Sequence, residues 1–224
     1  MYKHLALGFA VVAFSTVSFG QTLTNAIGLP PSDWFQINYA ANLNVGDSFV
    51  NITNSGATTN LALCGANDAS CLAEPVTSSL NLCANIYTFD PQEELISCCA
   101  CSVTPNGLQS LSVQSSLISN PLTPAIPTAV VTKIISTVQI GACNAGTPGI
   151  PAHGLLAWGT SLHQNTSTAK ASYSVTETPF SQAALTLAEY AHVVSFCGFI
   201  QADGTGFGIC KGCAAGGLGA ASAQ

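Results

Sequence analysis

Apolar residues recur at every second position along most of the chain. Phe35, Ile37 and Tyr39 alternate with Trp34, Gln36 and Asn38, and Val50 and Ile52 with Asn51 and Thr53. Leu80, Leu82, Ala84 and Ile86 alternate with Asn81, Cys83, Asn85 and Tyr87. The rhythm returns in Ile134, Val138 and Ile140, set against Lys133, Thr137 and Gln139, and again in Trp158 and Leu162. A period of two places one set of side chains on a buried sheet face and the other in water. Turn chemistry separates the runs, at Asn54-Ser55-Gly56, Asp90-Pro91, Pro105-Asn106-Gly107, Pro148-Gly149 and Asp203-Gly204. Many short strands at this spacing predict an all-β fold, an antiparallel arrangement like a β-sandwich.

One segment departs from that rhythm. Thr186, with Glu189 three residues on, makes a capping box, after which Leu187, Tyr190, Val194 and Cys197 follow helical spacing. This predicts one short C-terminal helix, ending near Gly198 and packed on the sheet.

Composition narrows the class. Of 224 residues, 48% are hydrophobic and only 6% charged, against about a quarter charged in an ordinary soluble domain. Four Lys+Arg face ten Asp+Glu, for a net charge of -6, and arginine is absent. Nucleic-acid binding needs a basic footprint that this chain lacks. A polybasic attraction to anionic membranes is excluded on the same ground.

Residues 1–20 read as a signal peptide. Lys3 and His4 open it, Leu5 to Phe14 is apolar, and Ser18-Phe19-Gly20 puts small residues at the positions a signal peptidase reads before Gln21. The apolar stretch is too short to cross about 30 Å of hydrocarbon, so no membrane anchor is expected. The remainder divides into a β half at 21–120 and a β half with the helix at 121–224, or runs as one continuous domain. The boundary is Asn120 to Pro127, where three prolines discourage helix and central strand alike.

Ten cysteines lie beyond the leader: Cys64, Cys71, Cys83, Cys98, Cys99, Cys101, Cys143, Cys197, Cys210 and Cys213. An even count in an exported chain points to disulfides for all ten. Six precede the boundary and four follow it, which would let each half close its own bridges. Vicinal Cys98 and Cys99 should take different partners, because a ring between them would be strained. The alternative is a metal or redox centre, since Cys98-x-x-Cys101 and Cys210-x-x-Cys213 offer four thiolates at knuckle spacing. Export favours the bridges, and no cofactor or metal is expected.

Catalytic patterns are sparse. Gly46-Asp47-Ser48-Phe49 resembles the nucleophile block of the GDSL esterases, Gly65-Ala66-Asn67-Asp68 resembles their Gly-x-Asn-Asp block, and Glu189-x-x-His192 resembles their Asp-x-x-His. The resemblance implies Ser48 as nucleophile, His192 as base and Asn67 near the oxyanion. In that family the serine opens a helix, whereas Phe49 to Thr53 alternates as a strand, so Gly46-Asp47 reads as a turn. Asp90, Glu93 and Glu94 could offer oxygens to calcium, but Asp90-Pro91 reads first as a hairpin turn. His153, His163 and His192 are scattered without a metal-binding pattern, and His163 falls on the solvent phase of its strand. Asn51-Ile52-Thr53 and Asn165-Thr166-Ser167 fit the glycan acceptor rule.

The resulting expectation is a secreted, extracellular protein, or a periplasmic one, with a non-catalytic structural, adhesive or ligand-binding role. Its partners would be copies of itself, an extracellular protein or a glycan, met in part through uncovered strand edges. The alternatives are a hydrolase whose site is assembled from distant residues, and the metal or redox protein described above.

Overall fold

A computed structural model describes residues 29–56, 81–165, 172–211 and 214–215. The expected leader at 1–20, Cys64, Asn67, Cys71 and Cys213 lie outside the described residues. In chain order the elements are β1 (Leu29–Ala40), β2 (Ser48–Asn54), β3 (Leu82–Phe89), β4 (Leu95–Val103) and β5 (Leu108–Ser112). A single π-helical turn follows at Val113–Leu117. Then come β6 (Val130–Val138), β7 (Leu155–Asn165), β8 (Ser172–Pro179), β9 (Ser181–Leu185), α1 (Leu187–Asp203) and β10 (Ala214–Ala215).

The strands form two antiparallel sheets, ordered β4-β3-β6-β1-β9 and β10-β5-β2-β7-β8. Val50 and Ile52 of β2, Leu111 of β5 and Leu155 and Ala157 of β7 meet Leu82, Ala84 and Ile86 of β3 and Ile134 of β6 between the sheets. Burying such side chains stabilises the fold by about 1.5–3 kcal/mol each. The all-β, disulfide-stapled sandwich with one helix is therefore the observed fold. Strands from both expected halves interleave in both sheets, with β6 lying between β3 and β1.

A second core lies on the other face of the first sheet. There Tyr87 and Phe89 of β3, Ile135 of β6 and Phe35 of β1 pack against Val193, Cys197 and Ile200 of α1. The helix starts where Thr186 accepts a hydrogen bond from Glu189 N at 3.1 Å. It runs past the expected end at Gly198 to Asp203, and stops at Gly204, whose φ of 67° is left-handed. The Glu189 carboxylate does not complete the capping box; it pairs with Lys133 of β6 instead.

Helix cover overturns part of the alternation. Cys83, Asn85 and Tyr87, assigned to water by period two, are buried because α1 and the loop before β7 roof that face of the sheet. In β7 the phase is reversed. The register Val50↔Gly159 and Ile52↔Ala157 sends the odd positions inward, so Trp158 and Leu162 lie half-buried on the outer face of the second sheet. The sheets approach closely here: a side-chain carbon on Gly159 would lie 3.0 Å from Asn38 Oδ1. At Gly159 there is no room for a side chain on the inner side. His163 follows the inward phase and is half-buried rather than at the surface.

Three disulfides are placed, Cys83–Cys143, Cys98–Cys197 and Cys99–Cys210, and Cys101 is disulfide-bonded too. Cys98 and Cys99 pack into different cores, on opposite faces of β4, and take different partners as their adjacency requires. Each placed bridge joins the part before Pro121 to the part after it, so these bridges do not close within either half. The four-thiolate reading of Cys98, Cys101, Cys210 and Cys213 is not realised, because Cys98, Cys101 and Cys210 are each consumed in a disulfide. These bridges fit an oxidising compartment. Among the described residues no helix is long and apolar enough to cross a membrane.

Candidate interaction surface

Two sheets have four edges, and three of them are covered or short. Along β4, Cys98 N donates to Gly208 O at 2.8 Å, Cys210 N donates to Cys98 O at 3.3 Å, and Leu122 N donates to Ile96 O at 2.8 Å. The Cys99–Cys210 disulfide fastens that cover, and Cys98–Cys197 ties α1 to the same strand. The β9 edge is five residues long and runs into α1. The β10 edge is two residues long.

The fourth edge, β8, is open among the described residues. Phe180 N donates to Ala157 O at 3.0 Å. Because hydrogen-bonded pairs alternate along an antiparallel ladder, the residues facing Gly159, Ser161 and His163 also bond to β7. On the other side, Leu162 N donates to Asp47 O at 2.8 Å, so even-numbered β7 residues point their backbone toward β2. Tyr173, Val175 and Glu177, which face Gln164, Leu162 and Thr160, must then direct their N–H and C=O groups away from the sheet. No described strand pairs with them. Every side chain from Tyr173 to Pro179 is exposed, with Tyr173 at 52% and Val175 at 59%.

The residues of β8 make it a strand without making it safe. Tyr173, Val175, Thr176 and Thr178 favour extended backbone. Proline waits until the last position, and Glu177 is the only charge. Edges that avoid pairing usually carry lysine, an internal proline, a bulge or a covering loop. None of these occurs here among the described residues.

The outer face of the same sheet continues this surface. Val175 lies beside Leu162, with Trp158, Phe49 and the 48% exposed Leu156 on the same side. A polar ladder stiffens it: Ser110 donates to Asn51 Oδ1 at 2.8 Å, and Asn51 Nδ2 donates to Thr160 Oγ1 at 2.9 Å. Asn51 is thus buried and engaged, unlike an acceptor for glycan, whereas Asn165 is exposed at the end of β7.

The residues singled out for catalysis do other work. Asp47 Oδ1 accepts from Ser48 N at 2.7 Å and Gln114 N at 3.1 Å, while Oδ2 accepts from Ser112 Oγ at 2.5 Å. That carboxylate ties β2, β5 and the π turn together. Gly46 must be glycine, since a side-chain carbon there would lie 1.6 Å from Leu162 O. Ser48 is buried and hydrogen-bonded to Ser161 Oγ at 3.0 Å. Its supposed base, His192, is on α1, across the first sheet, so the two are not brought together.

His192 instead lines an open cleft of about 320 Å³ with Phe89, Asp90, Glu93, Val131, Lys133 and Glu189. Lys133 pairs with Glu189 and sits 4.4 Å above the Phe89 ring. Asp90 Oδ1 accepts from Gln92 N and Glu94 N, both at 2.9 Å, and so builds the expected hairpin turn. The His192 ring packs at a tilt against Phe196, with ring centroids 4.6 Å apart. These polar groups hold a turn and a helix in place, and the cleft lining has no hydroxyl or thiol among the described residues.

Sequence reasoning missed Asp33 and its pairing with His153. His153 Nδ1 meets Asp33 Oδ1 and lies 3.2 Å from Ser32 Oγ, and Asp33 Oδ2 accepts from Gly154 N at 3.0 Å. A catalytic triad needs the acid and the hydroxyl on opposite ring nitrogens. Here both crowd one nitrogen, so the cluster latches β1 to the chain entering β7. Asp33 and His153 are 120 residues apart, and no local pattern announces them.

Among the described residues no set of three or more His, Cys, Asp or Glu side chains is placed to hold a metal ion. No family model, no curated protein and no solved structure matches this chain.

Proposed function

We propose that this is an exported, non-catalytic protein of the cell exterior that works by docking extended strands on its β8 edge, in a structural or adhesive role. The observation that carries the reading is the contrast between one long bare edge and three that are covered or short. Strand addition draws its affinity from backbone hydrogen bonds, and its selectivity from side chains at alternate positions. Tyr173 and Val175 supply those side chains, and the apolar outer face behind them extends the contact. Exposed Phe196 and Phe199 on α1, at 48% and 68%, add a second apolar area suited to a crowded exterior. The leader and the disulfides support export, and the low charge permits close packing without strong repulsion.

Amide hydrogen exchange tests this reading. The N–H groups of Tyr173, Val175 and Glu177 should exchange rapidly in dilute protein. They should slow at least about tenfold when cell-surface material from the producing organism is added, since a bonded amide exchanges only when its bond opens. Unchanged exchange in those three amides, with the material demonstrably bound elsewhere, would sink it.

A further inference from the structure

We infer that the strand received by β8 is the β8 of a second copy of this chain, paired antiparallel about a two-fold axis at Val175. The inference rests on the strand-docking reading and names its partner. It comes from the register of the free groups. Tyr173, Val175 and Glu177 point their N–H and C=O groups outward at alternate positions, and an antiparallel partner must offer outward groups at the same spacing. A second β8 does so.

Centring on Val175 sets Val175 against its own copy and Tyr173 against Glu177, twice. Two bonds for each of three facing pairs gives about six in all. Shifting the register by one step in either direction leaves an outward residue facing Pro179, which has no N–H, or facing no residue of the other β8. The two-fold register is therefore the one that uses every free group.

Charge agrees with it. Glu177 is the only charged side chain on β8, and this register keeps the two copies apart, each beside a neutral tyrosine. Like charges directly opposed would destabilise the pair. Val175 against Val175, both 59% exposed in one copy, buries an apolar contact at the centre. The second sheets of the two copies become one continuous sheet, a closed isologous dimer rather than a fibre.

Sedimentation velocity on the intact, oxidised chain across a concentration series tests the inference, with four forms compared. Wild type should dimerise. Val175→Pro should weaken the dimer by about 100-fold, because the outward N–H at the axis is lost. It should leave the monomer folded by circular dichroism, because that N–H serves no bond among the described residues. Tyr173→Glu should weaken dimerisation by about 10-fold, since it sets one carboxylate against Glu177 of the other copy in each of the two outer pairs. Adding Glu177→Lys to Tyr173→Glu should restore it, because each glutamate then faces a lysine.

A wild-type chain that stays monomeric throughout overturns the inference. So does a dimer indifferent to Val175→Pro, or a double variant that is not rescued. If the chain is monomeric but its β8 amides are still protected by surface material, self-pairing fails and strand docking stands. If neither occurs, both fail.

Discussion

The edge strands β4 and β8 show the molecule at its most and least protected. β4 is nine residues long, buried along most of its length, roofed by α1 and crossed by disulfides from Cys98, Cys99 and Cys101. β8 is eight residues long, carries no cysteine, and is exposed on both faces. The same division holds for the sheets they belong to: one is covered on both sides, whereas the outer face of the other bears Trp158, Leu162 and Val175. Stability is concentrated on the β4 side, which leaves β8 free to stay unpaired in the monomer. An edge strand can remain sticky only if the rest of the fold does not depend on covering it.

The sharpest way to break this comparison is to remove the staple of the protected side. Replacing Cys98 and Cys197 by alanine opens a closure of 99 residues and should cost about 4–5 kcal/mol. Thermal melting of the oxidised double variant checks it. A fall of well under about 1 kcal/mol, the size of an ordinary surface change, would mean that β4 and α1 do not anchor the fold.

Tyr87 sharpens the contrast at intermediate size. Its hydroxyl donates to Ala145 O at 2.8 Å beneath α1. Burial, and then the neighbouring Tyr190, hold its phenol protonated far above the ordinary value of 10, and burial raises Tyr190 as well. The unfolded chain ionises both groups near the ordinary value of about 10, so at higher pH the native state binds more protons than the unfolded state. Stability is therefore full below about pH 10 and falls as pH rises beyond it. Tyr87→Phe should cost about 1 kcal/mol at neutral pH through the lost hydrogen bond, and the alkaline decline in melting temperature should become shallower. Tyr173, on the open edge, is 52% exposed, and Tyr173→Phe should leave the melting temperature at neutral pH unchanged.

Much of this division was legible in the sequence, and the rest was hidden for physical reasons. Alternation in Val50 to Thr53 and in Leu82 to Ile86 located strands, and Thr186 located the start of α1, because those signals are local. The burial of Asn85 and Tyr87 was not legible, since it depends on a helix far along the chain. Trp158 misled: a large aromatic side chain suggests a core, yet the narrow gap near Gly159 and Asn38 excludes it. The latch of Asp33 with His153 has no sequence pattern at all. β8 itself escaped notice because a strand exposed on both faces buries nothing, so periodicity has no core face to record. The signal available was compositional, the run Tyr173-Ser174-Val175-Thr176 with its strand-forming residues.

The smallest effect is also the most direct test of what an open edge means. Val175→Ser removes an apolar side chain that is 59% exposed, opens no cavity, and leaves the backbone bonds of β8 to β7 in place. In dilute, monomeric protein it should change stability by less than about 0.5 kcal/mol. The same change at a core position of comparable size, such as Val103, which is wholly buried, should cost several times more, because a hydroxyl would replace packed methyl groups. Paired melting curves at low concentration compare the two. A loss at Val175 approaching that at Val103 would show that β8 leans on the monomer's own packing, and would remove the ground for treating its exposure as a docking surface. A negligible loss in dilute solution that grows with protein concentration would locate the work of Val175 between molecules.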